Sequence, residues 1–383
     1  MKKKFSILLA VLIAVSVFGF TGCNNDSASN DDRIKIGGLA PLTGNVAVYG
    51  VSVKNGAMLA VEEINASGGV MGKQLDLNFL DEKGDPAEAV NAYNRLISDK
   101  VVAIIGDVTS GPTAAIAPSS ATEGIPVITP SATALNVTTF GNNLFRVCFT
   151  DPFQGVVLAQ FANDSLQCTT AAVLANSSSD YSMGIAEAFK VKAAELGITI
   201  VADETYGETD KDFKAQLNNI KNTAPDVLLV PDYYAVNSLI TAQARELGLM
   251  VPILGGDGWD GITTTTDESN YDVLNDVYFS NHYAADGGNS KVTAFVEKFT
   301  ETYKEPPTAF AALAYDAVYM LAEAMEKAQS TDYDKVVDAL ANINFTSGLT
   351  GNIHYEGTGD PVKSVTIIRM VDGEYTFFTE VKP

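Results

Sequence analysis

The sequence predicts an α/β fold of two lobes, each built on a mostly parallel sheet. Three observations carry this. Strands alternate with helix-spaced segments along residues 34–128, and the same rhythm begins again at 153 and runs to 254. Residues 101–105 form a continuous aliphatic run, the pattern of a strand covered on both faces. The chain has 383 residues, 46% of them hydrophobic, which is enough for two cores.

The elements follow in order. Residues 34–36 (Ile-Lys-Ile) open the first strand. Val53, Ala57, Ala60, Val61 and Ile64 recur at helical spacing, so 53–65 reads as a helix. Leu75, Leu77 and Phe79 alternate as in a strand. Asp85-Pro86-Ala87-Glu88 opens a helix to about residue 98, with Asp as N-cap, Pro at the first helical position and Glu three residues after the cap. Strand 101–105, a helix from 112 and strand 125–128 complete the first series. The second series gives helices at 153–166, 182–196, 212–222 and 235–247, with strands at 171–174, 198–201, 227–230 and 252–254. Helices at 290–303, 310–328 and 332–341 come next. Residues 364–370 and 375–381 form a β-hairpin around Asp372-Gly373.

Charge and composition exclude several functions. Lys and Arg number 25 against 47 Asp and Glu, a net charge of −22. Such a chain is repelled by nucleic acid and by anionic lipid headgroups. Two histidines (His282 and His354) and three cysteines leave little for a metal site, and no cofactor or metal is expected. Cys148 and Cys168 are either a disulfide or two buried thiols.

Lys2, Lys3 and Lys4 precede an apolar run over 5–20, shorter than the roughly 20 residues of a spanning helix. A basic start, a short apolar run and small residues before a cleavage point describe a secretory signal. Phe20-Thr21-Gly22-Cys23 resembles a bacterial lipobox, which implies cleavage of 1–22 and a lipid on Cys23. Residues 23–32 are polar and read as a flexible tether.

In open α/β sheets, ligands bind beyond the carboxyl ends of the strands. The loops there are 39–50, 106–113, 129–134, 176–183, 232–234 and 255–260. They are rich in Gly, Ser, Thr, Tyr and Asp. Several segments in and around them carry a family resemblance: Pro41-Leu42-Thr43-Gly44 with Tyr49-Gly50, Glu62-Glu63-Ile64-Asn65-Ala66-Ser67-Gly68-Gly69-Val70, and Asp85-Pro86. Further along stand Gly124-Ile125-Pro126-Val127-Ile128-Thr129-Pro130-Ser131-Ala132-Thr133, Asp180-Tyr181-Ser182-Met183-Gly184 and Gly255-Gly256-Asp257-Gly258. In this order they resemble the periplasmic binding proteins for branched-chain amino acids, the ligand-capturing part of ABC importers.

The resemblance implies a type 1 periplasmic-binding-protein fold: two Rossmann-like lobes joined by a multi-segment hinge. The chain would cross between lobes near Thr150, His282 and His354. The first lobe would be 33–150 with 283–352, and the second 151–282 with 353–383. It further implies a non-enzymatic, monomeric protein anchored to the outer face of the cell membrane. Its partners would be an amino acid, a permease and an ATPase.

By resemblance, Ser110, Ser131 and Thr133 match the family's carboxylate and ammonium contacts. Taken alone they are helix caps or turn residues. A ligand carboxylate needs hydroxyls and helix-start N–H groups, and an ammonium needs an acceptor. Asp257 falls where the family has an acidic residue, usually Glu. Tyr49, Tyr181 and Tyr233 match aromatic positions of the cleft, and Val108 and Phe310 border the side-chain pocket. Trp259, the only tryptophan, either walls the cleft or packs into a lobe. No charge stands ready for a charged ligand side chain, which favours an uncharged, aliphatic ligand (Leu, Ile or Val), with an aromatic or small polar amino acid as the other reading. A sensing receptor of the same fold, uncoupled to transport, is the alternative.

Other motifs carry less. Gly256-Asp257-Gly258-Trp259-Asp260-Gly261 fits G-x-G-x-x-G, but β-branched Ile262-Thr263-Thr264-Thr265-Thr266 follows instead of a good helix former. The chain has no G-x-S-x-G. His282 and His354 read as surface or hinge-proximal packing, and the Asp81/Glu82 pair is unremarkable in so acidic a chain.

Overall fold

The computed structural model describes residues 32–381. The predicted leader, Cys23 and the tether up to residue 31 lie outside the described residues. The first series forms β1 (Ile34–Ala40), α1 (Ala47–Ala66), β2 (Leu75–Asp81), α2 (Pro86–Ser98), β3 (Ala103–Ile105), α3 (Ser110–Glu123), β4 (Val127–Thr129) and β5 (Leu144–Arg146). The second forms α4 (Asp151–Asp164), β6 (Thr170–Asn176), α5 (Asp180–Glu195), β7 (Thr199–Tyr206), α6 (Lys214–Thr223), β8 (Val227–Leu229), α7 (Tyr234–Glu246), β9 (Ile253–Gly255) and β10 (Val277–Asn281). The chain then runs through α8 (Ser290–Tyr303), α9 (Ala309–Ala328), α10 (Tyr333–Ala341), β11 (Asn344–Phe345), β12 (Ile353–His354), β13 (Val365–Val371) and β14 (Glu374–Val381).

The fold class is α/β with two main sheets. The first has the order β2-β1-β3-β4-β5 and is parallel throughout. The second has the order β14-β13-β10-β9-β8-β6-β7. Its strands β6 to β10 are parallel, and the β13–β14 hairpin adds antiparallel to β10. Read from β6, the second sheet repeats the order of the first: second strand, first, third, fourth, fifth. Both sheets therefore reverse direction between their first and third strands, the place where such sheets open a crevice for ligands.

Local chemistry explains the element bounds. The Asp85 carboxylate caps α2 by accepting the N–H groups of Ala87 and Glu88, with Pro86 behind it at a position that needs no donor. β3 and β4 are buried along their whole length. Glycine decides one helix contact: a Cβ on Gly56 would stand 2.0 Å from the Ala311 carbonyl, so only glycine lets α1 lie against α9.

Four strands escape the sequence pattern. β11 and β12, two residues each, are too short to show an alternation. β5 is three residues long and contains buried Arg146, whose charge masks the apolar run. β10 follows a stretch of short 3₁₀ turns, Ile262–Thr264 and Glu268–Leu274, which hides its start. α3 opens at Ser110, two residues before the predicted start.

The chain passes between the sheets after Arg146, after Asn281 and before Val365. The third passage differs from the predicted one at His354. Residues 355–360 still lie against β5: Tyr355 donates to the Arg146 carbonyl at 3.0 Å, and the Arg146 N–H donates to Gly359 at 2.9 Å. Cys148 and Cys168 are both free and buried, so the disulfide alternative falls.

Candidate functional site

Loops from both sheets meet around a small, nearly closed cavity. The first sheet contributes Val108, Thr109 and Ser110 after β3, and Ser131 and Thr133 after β4. The second contributes Tyr181 at the start of α5, Tyr233 just before α7, and Asp257 and Gly258 after β9. Phe310 at the start of α9 closes the ring. Eight of these ten residues are those singled out from the sequence, and none of the ten is Lys or Arg. Larger hollows lie elsewhere, but the strand-end loops of the two sheets converge on the smaller one.

One side of the cavity is built to donate. Ser110 is the first residue of α3, and its predecessor Thr109 makes no side-chain cap. The positive end of a 14-residue helix therefore faces the cavity with its first N–H groups uncapped by a side chain. The neighbouring loop is fixed to it: the Ser131 hydroxyl donates to the Val108 carbonyl at 2.8 Å, and the Ala134 N–H donates to Ser110 Oγ at 3.2 Å. Arg146 braces this loop through the Ala132 carbonyl at 2.8 Å and the Ala134 carbonyl at 3.1 Å, while its Nε pairs with Asp360 at 2.6 Å. Its charge is thus committed to structure and not to the cavity.

The opposite side is built to accept. Asp257 is 2% exposed. Its Oδ1 accepts from Tyr181 at 3.0 Å and from Gln154 Nε2 at 3.1 Å, and its Oδ2 lies 3.0 Å from His282 Nε2. Gln154 uses its whole amide. Oε1 accepts the Asp257 N–H at 2.9 Å and the Ser280 hydroxyl at 2.6 Å, and Nε2 also reaches Asp151 at 3.2 Å. Burial pushes Asp151 well above the ordinary carboxylate range and His282 below the ordinary imidazole value.

Aromatic rings form the apolar wall. Tyr181 and Tyr233 stack with centroids 4.9 Å apart. Tyr49 does not line the cavity. It stands behind Phe310, stacked at 4.2 Å, and its hydroxyl donates to the Gly258 carbonyl. Burial raises all three tyrosines well above the ordinary phenol value, so their hydroxyls remain donors.

Trp259 resolves towards packing. It is fully buried in the core, and its Nε1 donates to the Val230 carbonyl at 2.7 Å. The indole is not among the residues that ring the cavity. His354 is exposed, as read. His282 is not surface packing: it is 4% exposed and bonded to the site. Gln154 and His282 were not read as site residues. His282 had a signal: it follows β10 directly, so recognising that strand would have placed it in a strand-end loop. Gln154 sits inside a helix and had none.

Among the described residues no cluster of His, Cys, Asp and Glu could hold a metal ion, and no helix is long and apolar enough to cross a membrane.

Residues 33–374 match the periplasmic binding protein family along their whole length. The chain belongs to the periplasmic binding protein family. This is a family of solute-binding proteins, and membership implies an extracytoplasmic location. A relative in Rhizobium johnstonii, the Leu/Ile/Val-binding protein BraC3, is 34% identical over 85% of this chain and 88% of its own. The leucine-, isoleucine-, valine-, threonine- and alanine-binding protein of Pseudomonas aeruginosa is 32% identical over 94% of each chain. Among solved structures, the branched-chain amino acid transporter substrate-binding protein LivJ of Streptococcus pneumoniae, in complex with isoleucine, superposes with a TM-score of 0.86. It is 34% identical and covers 92% of this periplasmic binding protein and all of its own chain. The type 1 fold expected from the sequence is the fold of this chain.

Proposed function

We propose that this periplasmic binding protein captures a branched-chain amino acid, Leu, Ile or Val, and delivers it to the permease of an ABC importer. The observation that carries the reading is the polarity of one small cavity. The start of α3 faces it from one sheet, Asp257 faces it from the other, and uncharged rings lie between them. In this reading the carboxylate of the ligand takes the Ser110 end, with Ser131 and Thr133 beside it. The ammonium takes Asp257. The side chain lies against Val108, Tyr181, Tyr233 and Phe310, with Tyr49 holding Phe310 from behind.

The lobes in this reading are 33–150 with 283–360, and 151–282 with the β13–β14 hairpin. They close on the ligand over the three passages, and the permease recognises the closed form. A lipid on Cys23 tethers a monomer to the outer face of the cell membrane. The names of the relatives support the ligand class: one is a Leu/Ile/Val-binding protein, and the other binds leucine, isoleucine, valine, threonine and alanine.

Calorimetric titration of the chain lacking its leader with each of the twenty amino acids tests this. Binding of Leu, Ile or Val, one molecule per chain, is the expected result. Binding of none, or of a charged amino acid in preference, overturns it.

A further inference from the structure

His282 is one of two histidines in the chain. Its ring is sealed in, stacked on Phe149 with centroids 3.8 Å apart, and its Nε2 lies 3.0 Å from Asp257 Oδ2. A carboxylate only accepts, so Nε2 carries the hydrogen. In the neutral ring Nδ1 is then a bare lone pair, and it is buried without a partner. Protonation would add an N–H at Nδ1 that nothing accepts, in a place water does not reach.

We propose that His282 is a positioning residue for Asp257: its neutral ring holds the carboxylate towards the cavity, and protonation of that ring and capture of an amino acid oppose each other. The inference rests on the reading that Asp257 receives the ligand's ammonium. A cationic imidazolium at 3.0 Å neutralises the charge that the ammonium needs. Conversely, an ammonium bound at Asp257 withdraws that charge from the ring and repels a second cation.

The charged groups facing the ring are few. Asp257, beyond β9, favours protonation, and Lys363, on the passage before β13, opposes it. Lys363 is buried against the Val147 carbonyl at 2.9 Å and Thr350 Oγ1 at 2.7 Å, and burial pushes it down to about 8. Phe149 on the ring's face carries no charge. Burial is the largest influence on His282 and displaces it below the ordinary imidazole value.

The test has two arms. In the first, leucine is titrated calorimetrically at a series of pH values from about 7.5 down through the His282 titration located by the second arm, in buffers of different ionisation enthalpy. The wild-type chain should release a fraction of a proton on binding, and its affinity should fall below the His282 titration by up to about tenfold per pH unit. His282→Gln offers a donor that does not titrate. It should bind leucine at about pH 7.5 within a few fold of wild type, without proton release. Equal proton release in both chains overturns the proposal.

The second arm needs no ligand. Nitrogen NMR of imidazole-labelled protein contains two rings, assigned with His354→Gln. His282 should be the Nε2–H neutral tautomer at pH 7, titrating below the ordinary value of about 6.5, and Asp257→Asn should shift its signals. An Nδ1–H tautomer, or a titration above 6.5, overturns the proposal whatever leucine does. If no amino acid binds while the ring behaves as described, the ligand reading fails and the Asp257–His282 pairing stands.

Discussion

Asp257 and His282 meet across the carboxyl ends of two neighbouring parallel strands, β9 and β10, with Oδ2 3.0 Å from Nε2. The contact makes the acceptor of the cavity part of the second sheet. Gln154 completes the link from α4, holding both the backbone and the side chain of Asp257. With Tyr181 also donating, the carboxylate is oriented by the protein's own donors, which lowers the ordering cost of binding.

A buried carboxyl pair lies near the loop that carries Ser110. Glu82 and Asp107 are fully buried. Oε2 of Glu82 accepts from Gly84 and Oδ1 of Asp107 from Val108, while the other oxygen of each is buried without a resolved partner. Burial pushes both above the ordinary carboxyl range, and Asp107 adds repulsion at Glu82. A folded-state value raised this way contributes stability that is complete below the unfolded titration and is lost as pH rises through the folded one. The melting temperature should therefore fall from neutral into alkaline pH. Glu82→Gln keeps a donor towards Asp107 and should show a shallower fall. Scanning calorimetry between about pH 6 and 9.5 checks this, and equal slopes would contradict it.

Trp259→Phe separates packing from ligand contact. The variant strands the buried Val230 carbonyl, at a cost of about 1–3 kcal/mol. The melting temperature should drop by several degrees, while leucine affinity should stay within about fivefold. A large loss of affinity at unchanged melting temperature would put the indole against the ligand.

The two buried cysteines should be silent in the folded protein. Burial raises both thiols, Cys168 to about 11 and Cys148 further, and Cys148 also donates to the Ala132 carbonyl at 3.3 Å. A chain starting after Cys23 should show no reactive thiol towards Ellman's reagent at pH 8, and two once unfolded without reductant. None in the unfolded chain would mean a disulfide.

The sequence made most of this legible, because the strand-end rule needs only strands that announce themselves. Val101 to Ile105 and Val227 to Val230 do so, and the residues just beyond them, Val108, Ser110 and Tyr233, line the cavity. The rule failed where a strand was disguised. Buried Arg146 hid β5, and the turns before Val277 hid β10, so His282 looked like a lone histidine. Gln154 shows a further limit: its role comes from four hydrogen bonds to residues up to 126 positions away, which no local pattern records. Trp259 shows another, since adjacency to Asp257 in sequence does not give adjacency to the cavity.

The most direct measurement compares leucine with 4-methylpentanoate, which has the same carbon chain and carboxylate but no ammonium, on the wild-type chain and on Asp257→Ala. A charge-assisted hydrogen bond is worth about 1.5–3 kcal/mol, roughly ten- to a hundredfold in affinity. Wild type should prefer leucine by at least that factor, and Asp257→Ala should lose leucine affinity until the two ligands bind alike. If the preference for leucine survives in Asp257→Ala, the ammonium is held elsewhere and Asp257 is not its acceptor.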